Sequence, residues 1–131
     1  MSLPNGAGGY QLGDGNETEI NMVTQVTPTA KTAAATLTAA ELATGIITYN
    51  GAAVALTMPL GADIDAAFSS MKVNSSFDFH IINLGGTNAA TVTANTGVTL
   101  VGAAAVAANV SSHWRVRKTA DNTFVAYRVA G

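Results

Sequence analysis

Cysteine is absent from the 131 residues. That excludes disulfide scaffolds, thiolate zinc sites, iron–sulfur clusters and cysteine nucleophiles. Charge is scarce as well. Lys plus Arg is 6 and Asp plus Glu is 8, for a net charge of -2 and a charged fraction of 11%, where an average globular chain carries about 25%. So few basic residues, spread thinly, leave no footprint for nucleic acid or for an acidic membrane surface. Long apolar runs are missing too. The richest stretch, residues 100–110, is mostly Ala and is interrupted by Gly102 and Asn109, well short of the ~20 residues that span a bilayer. Residues 1–10 have neither a basic start nor a continuous apolar stretch, so no secretory signal is expected there.

What the chain has in abundance is small side chains. It holds 25 Ala, 17 Thr and 13 Gly, together 55 of 131 residues. Burial contributes roughly 25 cal/mol per Å² of apolar surface, and Ala brings little of it. A monomer core built this way is expected to be thin, with much of the outer surface covered by further copies or by a larger partner.

Residues 1–19 hold five of the thirteen glycines and three of the eight acids. They are expected to form an extended N-terminal arm that orders against a neighbour, with Leu3, Tyr10 and Leu12 as apolar anchors and Gln11 beside them. Residues 20–131 are expected to form one β domain. Alternation marks residues 20–27, and 32–37 is a second short strand. Thr38-Ala-Ala-Glu41 has the capping-box pattern of a short helical turn, stopped at Gly45. Residues 46–58, centred on Asn50-Gly51, read as a hairpin. Residues 61–71 read as a helix, because Ile64, Ala67, Phe68 and Met71 share one face and Asp63 and Asp65 suit its positive end.

In residues 76–84, Phe77, Phe79 and Ile81 alternate with Asp78, His80 and Ile82, the mark of a half-buried strand. Residues 89–94 are expected to pair back onto it. Strands are expected at 98–101 and 104–110. Residues 112–119 alternate His113, Arg115 and Arg117 with Trp114 and Val116, and Ala120-Asp121-Asn122 turns the chain into 123–129. Many short strands at intervals of about 8 to 12 residues predict a mainly β chain: an antiparallel β-sandwich, jelly-roll-like, with one short helix. No fixed-period repeat points to a solenoid.

Catalytic and cofactor motifs are weak. The glycines between Gly6 and Gly15 lack a following Lys and a strand-to-helix turn, so they do not make a phosphate loop. His80 and His113, 33 positions apart, with Asp78 have the donor types of an open metal site, but all three lie on polar strand faces. Asp14, Asn16, Glu17 and Glu19 lack EF-hand spacing. No G-x-S-x-G occurs, and Asp63 and Asp65 diverge on a helix instead of facing a glycosidic bond. No catalytic residue, cofactor or metal is expected. Three sequons, at Asn16, Asn74 and Asn109, match by chance in a Thr- and Ser-rich chain. The aromatics Phe77, Phe79, Trp114, Phe124 and Tyr127 are expected in the core. Arg115, Arg117 and Lys118 form a basic cluster beside Arg128, either a solvated strand face or a set that pairs with acids of an adjacent subunit.

Read in order, Glu41-Leu-Ala-Thr-Gly-Ile-Ile-Thr48, Leu56-Thr-Met-Pro59, Ser76-Phe-Asp-Phe-His-Ile-Ile-Asn83, Gly97-Val-Thr-Leu-Val-Gly102, Trp114-Arg-Val-Arg-Lys-Thr119 and Tyr127-Arg128 resemble the small head decoration (cement) proteins of tailed phages, of marine and cyanobacterial type. The resemblance covers residues 36–129. It implies a non-enzymatic β-sandwich, a homotrimer, seated on the outer capsid surface of the virion with the major capsid protein as partner. It brings no catalytic residues, and nucleic acid and membrane are not expected partners. The arm residues Leu3, Tyr10, Gln11 and Leu12 are the expected capsid contacts. Arg115, Arg117 and Arg128 are the expected subunit interface. The same module style occurs in fibre and receptor-binding heads, which is the alternative reading.

Overall fold

The structure, a computed structural model, describes residues 22–131. The expected arm, with Leu3, Tyr10, Gln11 and Leu12, lies outside the described residues. Among those described, the elements are β1 (Thr29–Lys31), β2 (Ala35–Thr36), α1 (Ala39–Ala43), β3 (Ile46–Tyr49), β4 (Val54–Thr57), α2 (Gly61–Ala67), β5 (Ser76–Asn83), β6 (Ala90–Thr93), β7 (Val98–Val101), β8 (Ala105–Val106), β9 (Ser111–Ala120) and β10 (Thr123–Ala130). The chain is mainly β, as expected, with two short helices instead of one.

The strands form two sheets. One has six strands in the order β1-β3-β5-β9-β10-β7, and the other has four in the order β2-β4-β6-β8. From β1 to β8 each successive strand changes sheet. This corrects the antiparallel expectation, because five of the eight strand pairings are parallel. Two consecutive strands in different sheets cannot pair, so like strands of successive crossings meet instead, side by side and in the same direction.

Two expected pairings fail for this reason. Residues 46–58 are not a hairpin: β3 pairs with β1 and β5, and β4 with β2 and β6. Asn50-Gly51 is a corner between sheets. Asn50 N–H donates to Lys31 O at 3.0 Å, and a Cβ on Gly51 would fall 2.3 Å from Thr32 O. Only glycine allows that backbone approach. Likewise β6 does not pair back onto β5. It lies between β4 and β8. Antiparallel pairing is left to the short β6–β8 pair and to the long unit β5-β9-β10, whose β9–β10 turn at Asn122 (φ 56) matches the sequence reading.

Other boundaries differ locally. Residues 22–27 form no strand, and Met22 and Val23 are 83% and 87% exposed. Their alternation has no partner strand to meet, and pairing begins only after Pro28, which lacks a donor. In residues 104–110 only β8 forms, because Asn109 (φ 58) turns the chain. Helix α2 ends at Ala67. Phe68 leaves helical geometry (φ -119, ψ 58) and packs its ring 5.1 Å from Phe77.

The cap of α1 forms as its residues predict. Thr38 Oγ1 accepts from Glu41 N–H at 3.1 Å, and Glu41 Oε1 accepts from Thr38 N–H at 3.0 Å. Glu41 also holds Lys31 at 2.6 Å, which ties β1 to the helix. One apolar cluster takes side chains from both sheets and both helices. Tyr49, Phe79, Trp114 and Phe124 come from the six-stranded sheet, Leu56 and Val92 from the four-stranded one, and Leu42 and Ile64 from the helices. Phe79 and Trp114 stack at 6.2 Å. Few large side chains carry this core, in keeping with the composition.

Candidate functional site

The face of the six-stranded sheet turned away from this core carries the chain's polar constellation. Alternation puts Phe79, Ile81, Trp114 and Val116 inward, so Asp78, His80, His113, Arg115 and Arg117 face outward. The antiparallel β5–β9 register then sets Asp78 opposite Arg115 and His80 opposite His113. The β9–β10 register sets Tyr127 opposite Arg115.

Asp78 is the hub. Arg115 grips it with two prongs, Nε to Oδ1 at 2.8 Å and Nη2 to Oδ2 at 3.0 Å. His113 Nε2 lies 2.8 Å from Oδ2. The Arg115 hydrogen bonds, helped by His113 and opposed by partial burial, pull the Asp78 carboxyl down to about 2. In turn Asp78 pushes the Arg115 guanidinium up. His80 stacks on His113 with ring centroids 4.4 Å apart and planes 19° from parallel. Its Nδ1 lies 3.3 Å from Gly45 O. Arg117 donates to Asn74 Oδ1 at 2.8 Å and Tyr127 OH at 3.1 Å, with its guanidinium 5.8 Å from the Tyr127 ring centroid.

The four basic residues expected to cluster are divided by strand parity. Arg115 and Arg117 share the outer face. Lys118 turns inward and is only 6% exposed. Its Nζ donates to Asp65 Oδ1 at 2.8 Å and to Met71 O at 3.1 Å, while Asp65 Oδ2 accepts from Asn122 N–H at 2.8 Å. Lys118, followed by the Asn122 amide, holds the Asp65 carboxyl below its ordinary value. Asp65 therefore locks α2 onto the β9–β10 turn instead of serving the helix start. Arg128 also lies on the inner side, opposite Trp114, and closes one end of the core. Its guanidinium sits 6.0 Å from the Trp114 ring and donates to Ala103 O at 3.0 Å, Ala105 O at 2.5 Å and Gly131 O at 2.9 Å. Arg115, Arg117 and Arg128 thus all have acceptors within the chain.

Two concavities flank these features. One, of about 500 Å³, is lined mainly by Ala103, Ala105, Ala107 and Val110 with Arg128 and Val129. The other, of about 330 Å³, lies between the helices and β5, against Leu42, Phe68, Met71 and Phe77 with Ser70, Ser76 and Asp78. Apolar side chains make up most of the lining of both, and the only charged side chains are Arg128 in the first and Asp78 in the second. Among the described residues, no group of three or more His, Asp or Glu side chains is placed around a common metal position, and no helix is long and apolar enough to cross a membrane.

The sequence reading set aside the grouping of Asp78, His80 and His113, which the fold does bring into one patch, and it missed the inward turn of Lys118. Parity gave the face of each residue, whereas no local signal gives the register between strands 35 positions apart. No family model, curated protein or solved structure matches the chain.

Proposed function

We propose that this chain is structural: a capsid decoration (cement) protein, a homotrimeric β-sandwich that seats on the outer surface of a phage head and binds the major capsid protein. The observation that carries this reading is the outer sheet face. Its charges are satisfied internally, Asp78 by Arg115 and His113, Arg117 by Asn74 and Tyr127. Around them lie Ile46, Ile82, Val125 and Tyr127, all only half-buried, with Val101 and Val129 48% and 51% exposed. A broad, partly apolar face whose few charged groups are all hydrogen-bonded within the chain, and which keeps only the Arg117 charge uncompensated, suits close packing against another protein. Its one pairing of a histidine with a carboxylate, His113 with Asp78, has that carboxylate already gripped by Arg115.

In such an assembly Arg115 and Arg117 lie on the face that meets a neighbour, and short edge strands are covered by adjoining copies. Three weak contacts act together when a trimer docks, which raises avidity without any new contact. Localisation on purified particles, by reconstruction and by quantitative mass spectrometry, tests the reading. Hundreds of copies spread over the head are expected. A few copies confined to the tail would reject it.

One observation favours a second reading, a fibre or receptor-binding head. The chain winds back and forth between two sheets through the parallel ladders β1-β3-β5 and β2-β4-β6, and elongated assemblies use windings of this kind. Selective adsorption of the purified protein to host cells would distinguish it.

A further inference from the structure

The stacked histidines have a feature that neither the core nor a docking face requires. Each has one ring nitrogen held by a pure acceptor. His113 Nε2 faces the Asp78 carboxylate at 2.8 Å, and His80 Nδ1 faces the Gly45 carbonyl at 3.3 Å. A carboxylate and a carbonyl cannot donate, so these nitrogens carry the protons of the neutral rings. That leaves a lone pair on His113 Nδ1 and another on His80 Nε2. Ring orientation by a carboxylate on one histidine and a backbone carbonyl on the other is the outer-shell arrangement of metal-ligating imidazoles.

We propose that His80 and His113 form a two-nitrogen chelate for a divalent transition-metal ion, with Asp78 and the Gly45 carbonyl as positioning groups. The two strands place the ligands directly opposite each other in register. His113 is 28% exposed at its side chain and His80 is exposed, so a hydrated ion reaches both. The chemistry selects the ion class. Imidazole suits copper, nickel and zinc, with affinity rising to copper in the divalent series. Calcium and magnesium take oxygen donors, and the one carboxylate here is already gripped by Arg115. Metal–nitrogen bonds of about 2.0–2.1 Å require the two rings to tilt from their 19° stack, a side-chain adjustment on an open face. Water fills the remaining positions, so the site is exchangeable. It lies on the face that the decoration reading packs against a neighbour, so it is tested on the free chain, and its failure would leave that reading standing.

Titration of the full chain with zinc sulfate alone, followed by calorimetry and by ring-nitrogen NMR of the histidines, tests the proposal. One ion per chain is expected, with His113 Nδ1 and His80 Nε2 the nitrogens whose resonances move. H80Q and H113Q should each abolish the binding heat while keeping the wild-type circular dichroism spectrum. D78N should weaken binding about tenfold or more, the usual effect of losing an outer-shell partner. Unchanged binding in H80Q, or ring resonances that stay in place at millimolar zinc, would overturn it. The wild-type NMR reading decides the matter even if a variant fails to fold.

Discussion

Replacing Asp78 with Asn removes the hub of the outer face while keeping its shape. The carboxyl falls from its ordinary value of 3.8 to about 2 in the folded chain. Each unit corresponds to about 1.4 kcal/mol, so full linkage would give about 2.5 kcal/mol. A third of the Asp78 side chain is open to water, and solvent screening lowers that to about 1 kcal/mol. The sign follows from the direction of the shift. A depressed folded pKa stabilises the fold above the unfolded value, near pH 4, and that stabilisation is lost as pH falls through about 2. Urea unfolding of wild type and D78N between pH 7 and pH 2 should give a gap of about 1 kcal/mol at pH 5 to 7. The gap should shrink below pH 4 and nearly vanish at pH 2. Glu41 and Asp65 are also depressed, but they titrate alike in both proteins and cancel in the difference. A gap that stays constant across the whole range would refute the account, because the loss would then come from shape and not from charge.

Gly61→Ala separates helix propensity from packing. Propensity alone favours Ala by up to about 1 kcal/mol, yet its Cβ would stand 2.1 Å from Asn122 O and 2.9 Å from Gly97 O. A net loss of about 1–3 kcal/mol is expected in the urea midpoint. Trp114→Ala empties a fully buried site stacked on Phe79, and calorimetry should show a loss of about 3–5 kcal/mol. Thr38→Ala removes half of the α1 capping box, with an expected loss of about 1 kcal/mol by thermal melting. Lys118→Ala strips Asp65 and the Met71 carbonyl of their shared donor. About 2 kcal/mol should be lost, with amide exchange quickening first in α2 and the β9–β10 turn.

How far the sequence revealed this molecule depends on the range of each signal. The Thr38–Glu41 box needs only three residues of spacing, and it formed as read. The alternations around Phe79 and Trp114 assign faces over a few residues, and both faces are as expected. Partner strands are another matter, because a period of two says which side a residue takes and nothing about its neighbours. Asn50-Gly51 marks a tight turn equally well in a hairpin and at a corner between sheets. The deciding factor is the backbone of Thr32 pressed against Gly51, a contact from the previous crossing. In the same way, Lys118 reads as one more member of a basic run until parity places it on the inner face beside Asp65, 53 positions away.

The outer patch is the sharpest case of that distinction, because one constraint produces both core and surface. Sliding β9 by one residue against β5 would carry Trp114 and Val116 into water and bring Arg115 and Arg117 into the core, since side chains change face with every step. The buried stack of Phe79 on Trp114 opposes that slip. Only in the resulting register do His80 and His113 stand opposite each other, with Asp78 opposite Arg115. The apolar half of each strand thereby sets the geometry of the polar half. A substitution that loosens the inner face, such as Trp114→Ala, should accordingly disturb the histidine stack on the outer one, although it touches neither ring.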